Sequence, residues 1–198
     1  MKLIHLVLTS LLVPQIACVS KTNGNGIEVF LGFNVDIRYN QATSKADFTF
    51  VLPDKTWMGI VLGSQVMADS DIIQVMANGT SSYFIDAHAT GQTAPIEDSQ
   101  RDLEGRYEVV GNKVTFRLSR SMDTYDVNDY VLELDKTIQC AWAINRMTSN
   151  RWTKETARGT FGVVLRDSEQ GRQYSQDSNS DEIPLQEFDK NTDYDSDG

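Results

Sequence analysis

The 198-residue chain carries 28 acidic and 18 basic side chains for a net charge of −10, and 40% of its residues are hydrophobic. That is enough apolar material for one domain with a real core, and too little positive charge for a nucleic-acid surface or for docking on an anionic membrane. The charge is lopsided: from Asp167 to Gly198 ten acids stand against Arg172 and Lys190, which puts −8 there and −2 on all the rest.

Residues 1–20, MKLIHLVLTSLLVPQIACVS, read as a secretory signal. Lys2 supplies a basic start, Leu6 to Val13 an apolar centre, and Pro14 a break before small residues, with cleavage expected after Cys18 or Ser20. The apolar run is too short to span a bilayer, and no later stretch reaches the roughly 18 apolar residues of a spanning helix. Removal of this leader would leave Cys140 as the one cysteine, so no internal disulfide is expected.

From Gly26 the pattern becomes strand, turn, strand. GIEVFLGFNVDIRYN and KADFTFVLP alternate apolar with polar residues, as half-buried antiparallel strands require. TWMGIVLG, DIIQVMA and SSYFIDAHA follow, the last two joined through Asn78–Gly79, a dipeptide suited to a tight hairpin. QTAPIEDSQR, residues 92–101, reads as a loop. GRYEVVGNKVTFRLSR is a hairpin turning at Gly111–Asn112, and DYVLELD, TIQCAWAIN and GTFGVVLR complete the strands. RMTSNRWTKETARG, residues 146–159, is a second long loop, and such loops on a β scaffold are where binding sites concentrate. The result is an all-β domain over residues 21–166, a two-sheet β-sandwich of about ten antiparallel strands. Residues 167–198, rich in Ser, Gln and Asp, read as an acidic disordered tail.

Few side chains carry chemistry. His88 is the one histidine past the leader, which excludes a multi-histidine metal centre and leaves no base for a Ser-His-Asp arrangement. The chain therefore reads as a non-enzyme, with no catalytic residues and no metal site. Asp86, Glu97, Asp98 and Asp102 are close in sequence; paired carboxylates or a calcium site is one reading, solvated turn residues the more ordinary one. DYDSDG from Asp193 matches only the first six positions of a calcium loop, too little for tight binding. Cys140 alternates into an apolar strand as a buried, inert thiol. Asn78-Gly79-Thr80 is a glycosylation acceptor at a hairpin tip, making Asn78 a candidate glycan site. In the late loop Trp152, beside Arg151 and Asn150, is the candidate ligand platform, an aromatic face flanked by polar groups.

The order of motifs resembles the DOMON domain family. Trp57-Met58-Gly59-Ile60 leads to Met67 with ADSDII, then to Asp86, Gly91, Pro95 and Asp98, then to VTFRLSRSMDTYDVNDY and IQCAWAIN. The resemblance covers about Ile27 to Leu165 and implies an Ig-like sandwich outside the cell. Some members bind haem b through one Met and one His; others are thought to bind sugars or other small ligands, or to serve as interaction modules. Met67 falls at the haem-binding members' methionine, but their late-loop histidine has no counterpart here, which leaves His88 or Met147 as substitutes. Otherwise Met67 is expected to cap the core beside Met58 and Met76. The reading is a secreted, non-catalytic binding module for a small ligand such as a carbohydrate, or for an extracellular protein partner, with no cofactor. The alternative is a haem b cytochrome domain with Met67 and His88 as axial residues.

Overall fold

The structure, a computed structural model, describes residues 26–91, 93–146 and 154–167. The sequence-predicted leader (1–20), nearly all of the acidic tail, Met147 and the platform residues Asn150, Arg151 and Trp152 lie outside them.

Among the described residues eleven strands form two antiparallel sheets. The five-stranded sheet runs β1 (Ile27–Phe30), β2 (Phe33–Asn40), β3 (Lys45–Pro53), β9 (Lys113–Ser121), β8 (Glu104–Val110). The six-stranded sheet runs β11 (Ala157–Val164), β10 (Thr137–Asn145), β4 (Thr56–Leu62), β5 (Ser70–Ala77), β6 (Tyr83–Ala89), β7 (Ile96–Glu97). The expected Ig-like β-sandwich is therefore present.

Alternation builds the core between the sheets. Val35, Ile37, Phe48, Phe50, Leu52, Val114, Phe116 and Leu118 meet Met58, Ile60, Leu62, Ile73, Val75, Ile138, Cys140, Trp142 and Ile144. Burying each large apolar side chain contributes on the order of 1.5–3 kcal/mol, which holds the fold without staples. Cys140 is a free, fully buried thiol, as its parity requires. Strands β4 and β5 differ from the rest, because every residue of both is buried. Their outward-facing set, Trp57, Val61, Ile72 and Met76, is apolar where a solvated face would be polar.

Four local readings need correction. Residues 26–40 are two strands, because the chain reverses at Leu31–Gly32 with Gly32 at φ +80. The Asn78–Gly79 connection is a five-residue loop in which only Gly79 takes a positive φ, so the tight two-residue turn is not made. The short β7 lies inside the predicted 92–101 loop. Residues 129–135 form no strand, since their backbone is used elsewhere: Tyr130 N–H donates to Asp71 Oδ2 (2.9 Å) and Leu132 N–H to the Met122 carbonyl (2.8 Å).

Register fixes two ends. Leu62 pairs with Cys140 and Asp71, and Lys45 with Ser121, so the loops after β4, β6 and β9 share one end. Trp57 pairs with Asn145 and Met76, so the loops after β5 and β10 share the other.

Candidate functional site

The chemistry-bearing side chains gather at the first of these ends. On β9 the inward row Val114, Phe116, Leu118 continues to Arg120, which is fully buried. On β5 the inward row that includes Ile73 and Val75 begins at Asp71, and on β6 it includes Asp86 and His88. Arg120 Nη2 donates to Asp71 Oδ2 (2.9 Å) and to the Tyr130 carbonyl (3.1 Å). Arg120 Nη1 is 3.4 Å from Asp129 and 3.9 Å from Asp86. One guanidinium thus stands among three buried carboxylates from two strands and the β9–β10 segment.

A second layer adjoins it. His88 Nδ1 pairs with Asp98 Oδ1, which also accepts from Asn128 Nδ2 (3.3 Å). Asp102 N–H donates to Asp86 Oδ2 at 3.2 Å. The pairing is nevertheless imperfect on both sides. Asp71 Oδ1, Asp86 Oδ1, Asp98 Oδ2 and both Asp129 oxygens are buried without a well-aligned hydrogen bond, and so are Arg120 Nε and Nη1, while the Thr124 hydroxyl and the guanidinium both favour an ionised Asp129. Burial raises the pKa of all four acids against the opposing pull of Arg120 or His88, and that of Asp86, with Asp129 and Asp71 close by, is pushed up to about 7. Asp71, Asp86 and Asp129 bring carboxylate oxygens within 4.8 Å of one another, a spacing a cation would suit. Arg120 already supplies the positive charge there.

This overturns the solvated-turn reading for Asp86 and Asp98, which are 4% and 3% exposed. Glu97 and Asp102 fit it better: Glu97 pairs with Arg101 (2.8 Å) and Asp102 with Gln100 (2.9 Å), both near solvent. Sequence reasoning missed Arg120, Asp71 and Asp129. The first two carried a signal, since each is a charged residue on the inward parity of an apolar strand.

Met67 lies at the same end but on the other side of the six-stranded sheet. It packs with Val61, Ile72, Ala89 and Ala141, all on the outer face. Met58 and Met76 sit toward the opposite end, so Met67 does not cap the core beside them. His88 and Ala89 are neighbours on β6 and point to opposite faces. His88 therefore faces the core and Asp98, away from Met67. Asn78 is half-buried at the far end, its N–H donating to Ser82 Oγ (2.9 Å), with Thr80 exposed beside it. Asn150, Arg151 and Trp152 fall between β10 and β11 in the sequence and lie outside the described residues.

The sequence profile of the DOMON domain matches residues 32–145, more than half of the chain. The chain belongs to the DOMON family. The match spans β2 to β10, and β1 and β11 complete the DOMON sandwich at its sides. Among solved structures the chain is similar to the cytochrome domain of Myriococcum thermophilum cellobiose dehydrogenase, at 14% identity and TM-score 0.48 over 75% of this chain and 83% of that one. It is also similar to the cytochrome b domain of pyranose dehydrogenase from Coprinopsis cinerea, at 13% identity and TM-score 0.48 over 66% and 74%. No curated protein matches it.

Haem b in this DOMON domain would need two axial donors on one face of the sheet. Met67 offers a soft thioether on the outer face. His88 is turned inward and held by Asp98, so the described residues do not complete the pair.

Proposed function

We propose that this DOMON domain is a secreted, non-catalytic binding module whose ligand face is the outer side of the six-stranded sheet, next to Met67. The observation that carries the reading is the apolar character of that face. Trp57, Val61, Ile72 and Met76 line it, Gly59, Ala87, Ala89, Ala141 and Ala143 keep it low, and Gln74 is one polar group within it. The four large residues are buried within the chain, so a ligand on this face would take the place of chain that now packs over it, and an apolar site with a few polar groups is what a small molecule requires. Met67 forms part of its cover, so a ligand would enter beneath the β4–β5 loop. The ligand class that suits this surface is small and largely apolar on one side, a sugar ring or a flat macrocycle. Haem b remains the alternative within that class, with Met67 as one donor.

The test is a titration followed by tryptophan fluorescence and by visible absorption, with oligosaccharides and with haemin as the probes. Saturable binding that is lost in Ala141→Trp, a variant that fills the face, supports the reading. Binding unaffected by Ala141→Trp refutes the site. A sharp low-spin band on reduction, lost in Met67→Ala, would establish the haem reading instead.

A protein partner has its own observation. Tyr125 and Val127 are 90% and 96% exposed on the β9–β10 segment. Asp123, Thr124 and Asp126 each hold the amide two residues further on (2.9–3.2 Å), which fixes the segment that presents them. Tyr125 keeps a φ of +60, an uncommon state for an aromatic residue. A rigidly held aromatic in solvent suits an interface anchor.

A further inference from the structure

The buried cluster has a property that the binding reading does not use: its charges do not balance. Asp71, Asp86, Asp98 and Asp129 bring four negative charges, Arg120 one positive charge, and His88 at most one more. Every packed element contributes. β9 supplies Arg120, β5 Asp71, β6 Asp86 and His88, the β7–β8 segment Asp98 and Asp102, and the β9–β10 segment Asp126 and Asp129. On β10 the buried Cys140 thiol is also raised, by burial and by Asp71.

We propose that this cluster is a proton-operated clamp, in which a proton shared among Asp71, Asp86 and Asp129 holds the β9–β10 segment onto the sheet ends and its loss releases that segment. The geometry supplies the reason. Three carboxylates lie within 4.8 Å of one another, and Asp71 Oδ1, Asp86 Oδ1 and both Asp129 oxygens lack a well-aligned hydrogen bond, with the single guanidinium 3.4 Å from Asp129 and 3.9 Å from Asp86. A proton on one of them removes a buried charge and turns an orphaned acceptor into a donor toward its neighbour. The segment hangs on the same groups: Tyr130 N–H on Asp71, Asp129 on Arg120, Asn128 on Asp98.

The sign follows from the direction of the shifts. A carboxylate whose folded pKa lies above its unfolded value of 3.8 stabilises the fold at low pH, and this is lost as pH rises toward the folded value, about 7 for Asp86. Stability should therefore fall on going from mildly acidic to neutral pH.

The experiment is urea unfolding of the full chain at pH 5, 6, 7 and 8 for the wild type, Asp86→Asn and His88→Gln. For one linked proton the unfolding constant of the wild type rises up to about tenfold per pH unit between pH 5 and 7 and levels off above about pH 8. Asp86→Asn, which cannot ionise, should flatten this slope, whereas His88→Gln should keep it. A wild type that is flat, or that gains stability as pH rises, overturns the clamp, and so does a slope that survives Asp86→Asn and vanishes in His88→Gln. Hydrogen exchange on the unmodified protein tests the release itself, even where Asp86→Asn does not fold. After correction for intrinsic rates, protection of the Tyr130 amide should fall from pH 6 to 8 more than that of Phe116, and an equal change at both overturns the proposal.

Discussion

Replacing Arg120 with Met keeps much of the side-chain volume and removes the charge, so it asks what the guanidinium contributes. At an effective dielectric constant of about 20, a unit charge pair is worth about 332/(20r) kcal/mol, with r in Å. Contacts of 2.9, 3.4 and 3.9 Å to Asp71, Asp129 and Asp86 then give a gross attraction of about 15 kcal/mol. The three acids, within 4.8 Å of one another, repel by about 10 kcal/mol when all are ionised. That repulsion is present with or without Arg120, so the gross attraction is the upper limit on the loss, and it is cut back because Arg120 no longer has to be desolvated and the acids of the variant take up protons. Arg120→Met is therefore expected to lose about 3–5 kcal/mol, the range for breaking a buried ion pair from one side. Against the 5–15 kcal/mol typical of a whole domain that is a large fraction. Urea unfolding followed by tryptophan fluorescence at pH 7 measures it. The loss should shrink at pH 5, where the acids hold protons, and Arg120→Met combined with Asp129→Asn should be more stable than Arg120→Met alone. A loss below about 1 kcal/mol, or one equal at both pH values, would refute the electrostatic account and leave packing as the cause.

Other outcomes follow from single contacts. Gly63 sits at φ +74 with the Tyr130 ring where a Cβ would stand, 2.0 Å from Cδ2. Gly63→Ala should therefore destabilise by at least about 2 kcal/mol in thermal unfolding, more than a strain-free surface glycine would. The Cys140 thiol, pushed up to about 12 mainly by burial, should react with a thiol reagent at pH 8 only after denaturation; prompt reaction in the native protein would contradict its placement. Secretion from a eukaryotic host should add a glycan at Asn78, seen as a mass increase that Asn78→Gln abolishes; an unmodified secreted product would remove the site.

The fold was legible because its information is local. Runs such as KADFTFVLP and TIQCAWAIN alternate cleanly, and β3 and β10 begin and end where those runs do. The errors arose where one residue or one distant partner decides the backbone. Gly32 splits what alternation alone joins into one strand. DYVLELD has the pattern of a strand, yet Tyr130 finds its partner in Asp71, 59 residues away, and the segment never pairs.

The candidate site was legible only in halves, for the same reason. Met67 could be placed by the order of motifs, but the face it covers could not, because parity within one strand does not say which side a neighbouring loop folds over. His88 was read at the end of a strand and Asp98 in the loop that follows, and only the pairing of β6 with β7 brings them together. Arg120 is the sharpest case. In VTFRLSRS, Arg117 and Arg120 look alike in composition, but Arg120 shares the parity of Val114, Phe116 and Leu118 and Arg117 does not. A charged residue on the apolar parity of a strand announces that the core contains its opposite. Asp71, at the head of DIIQVMA, makes the same announcement on its own strand, whereas Asp86, within YFIDAHA, shares its parity with His88 and looks like an ordinary polar position. Two such violations in one β-sandwich lead to a buried charge cluster before any coordinate is known, because an unpaired charge inside would cost more than the fold can spare.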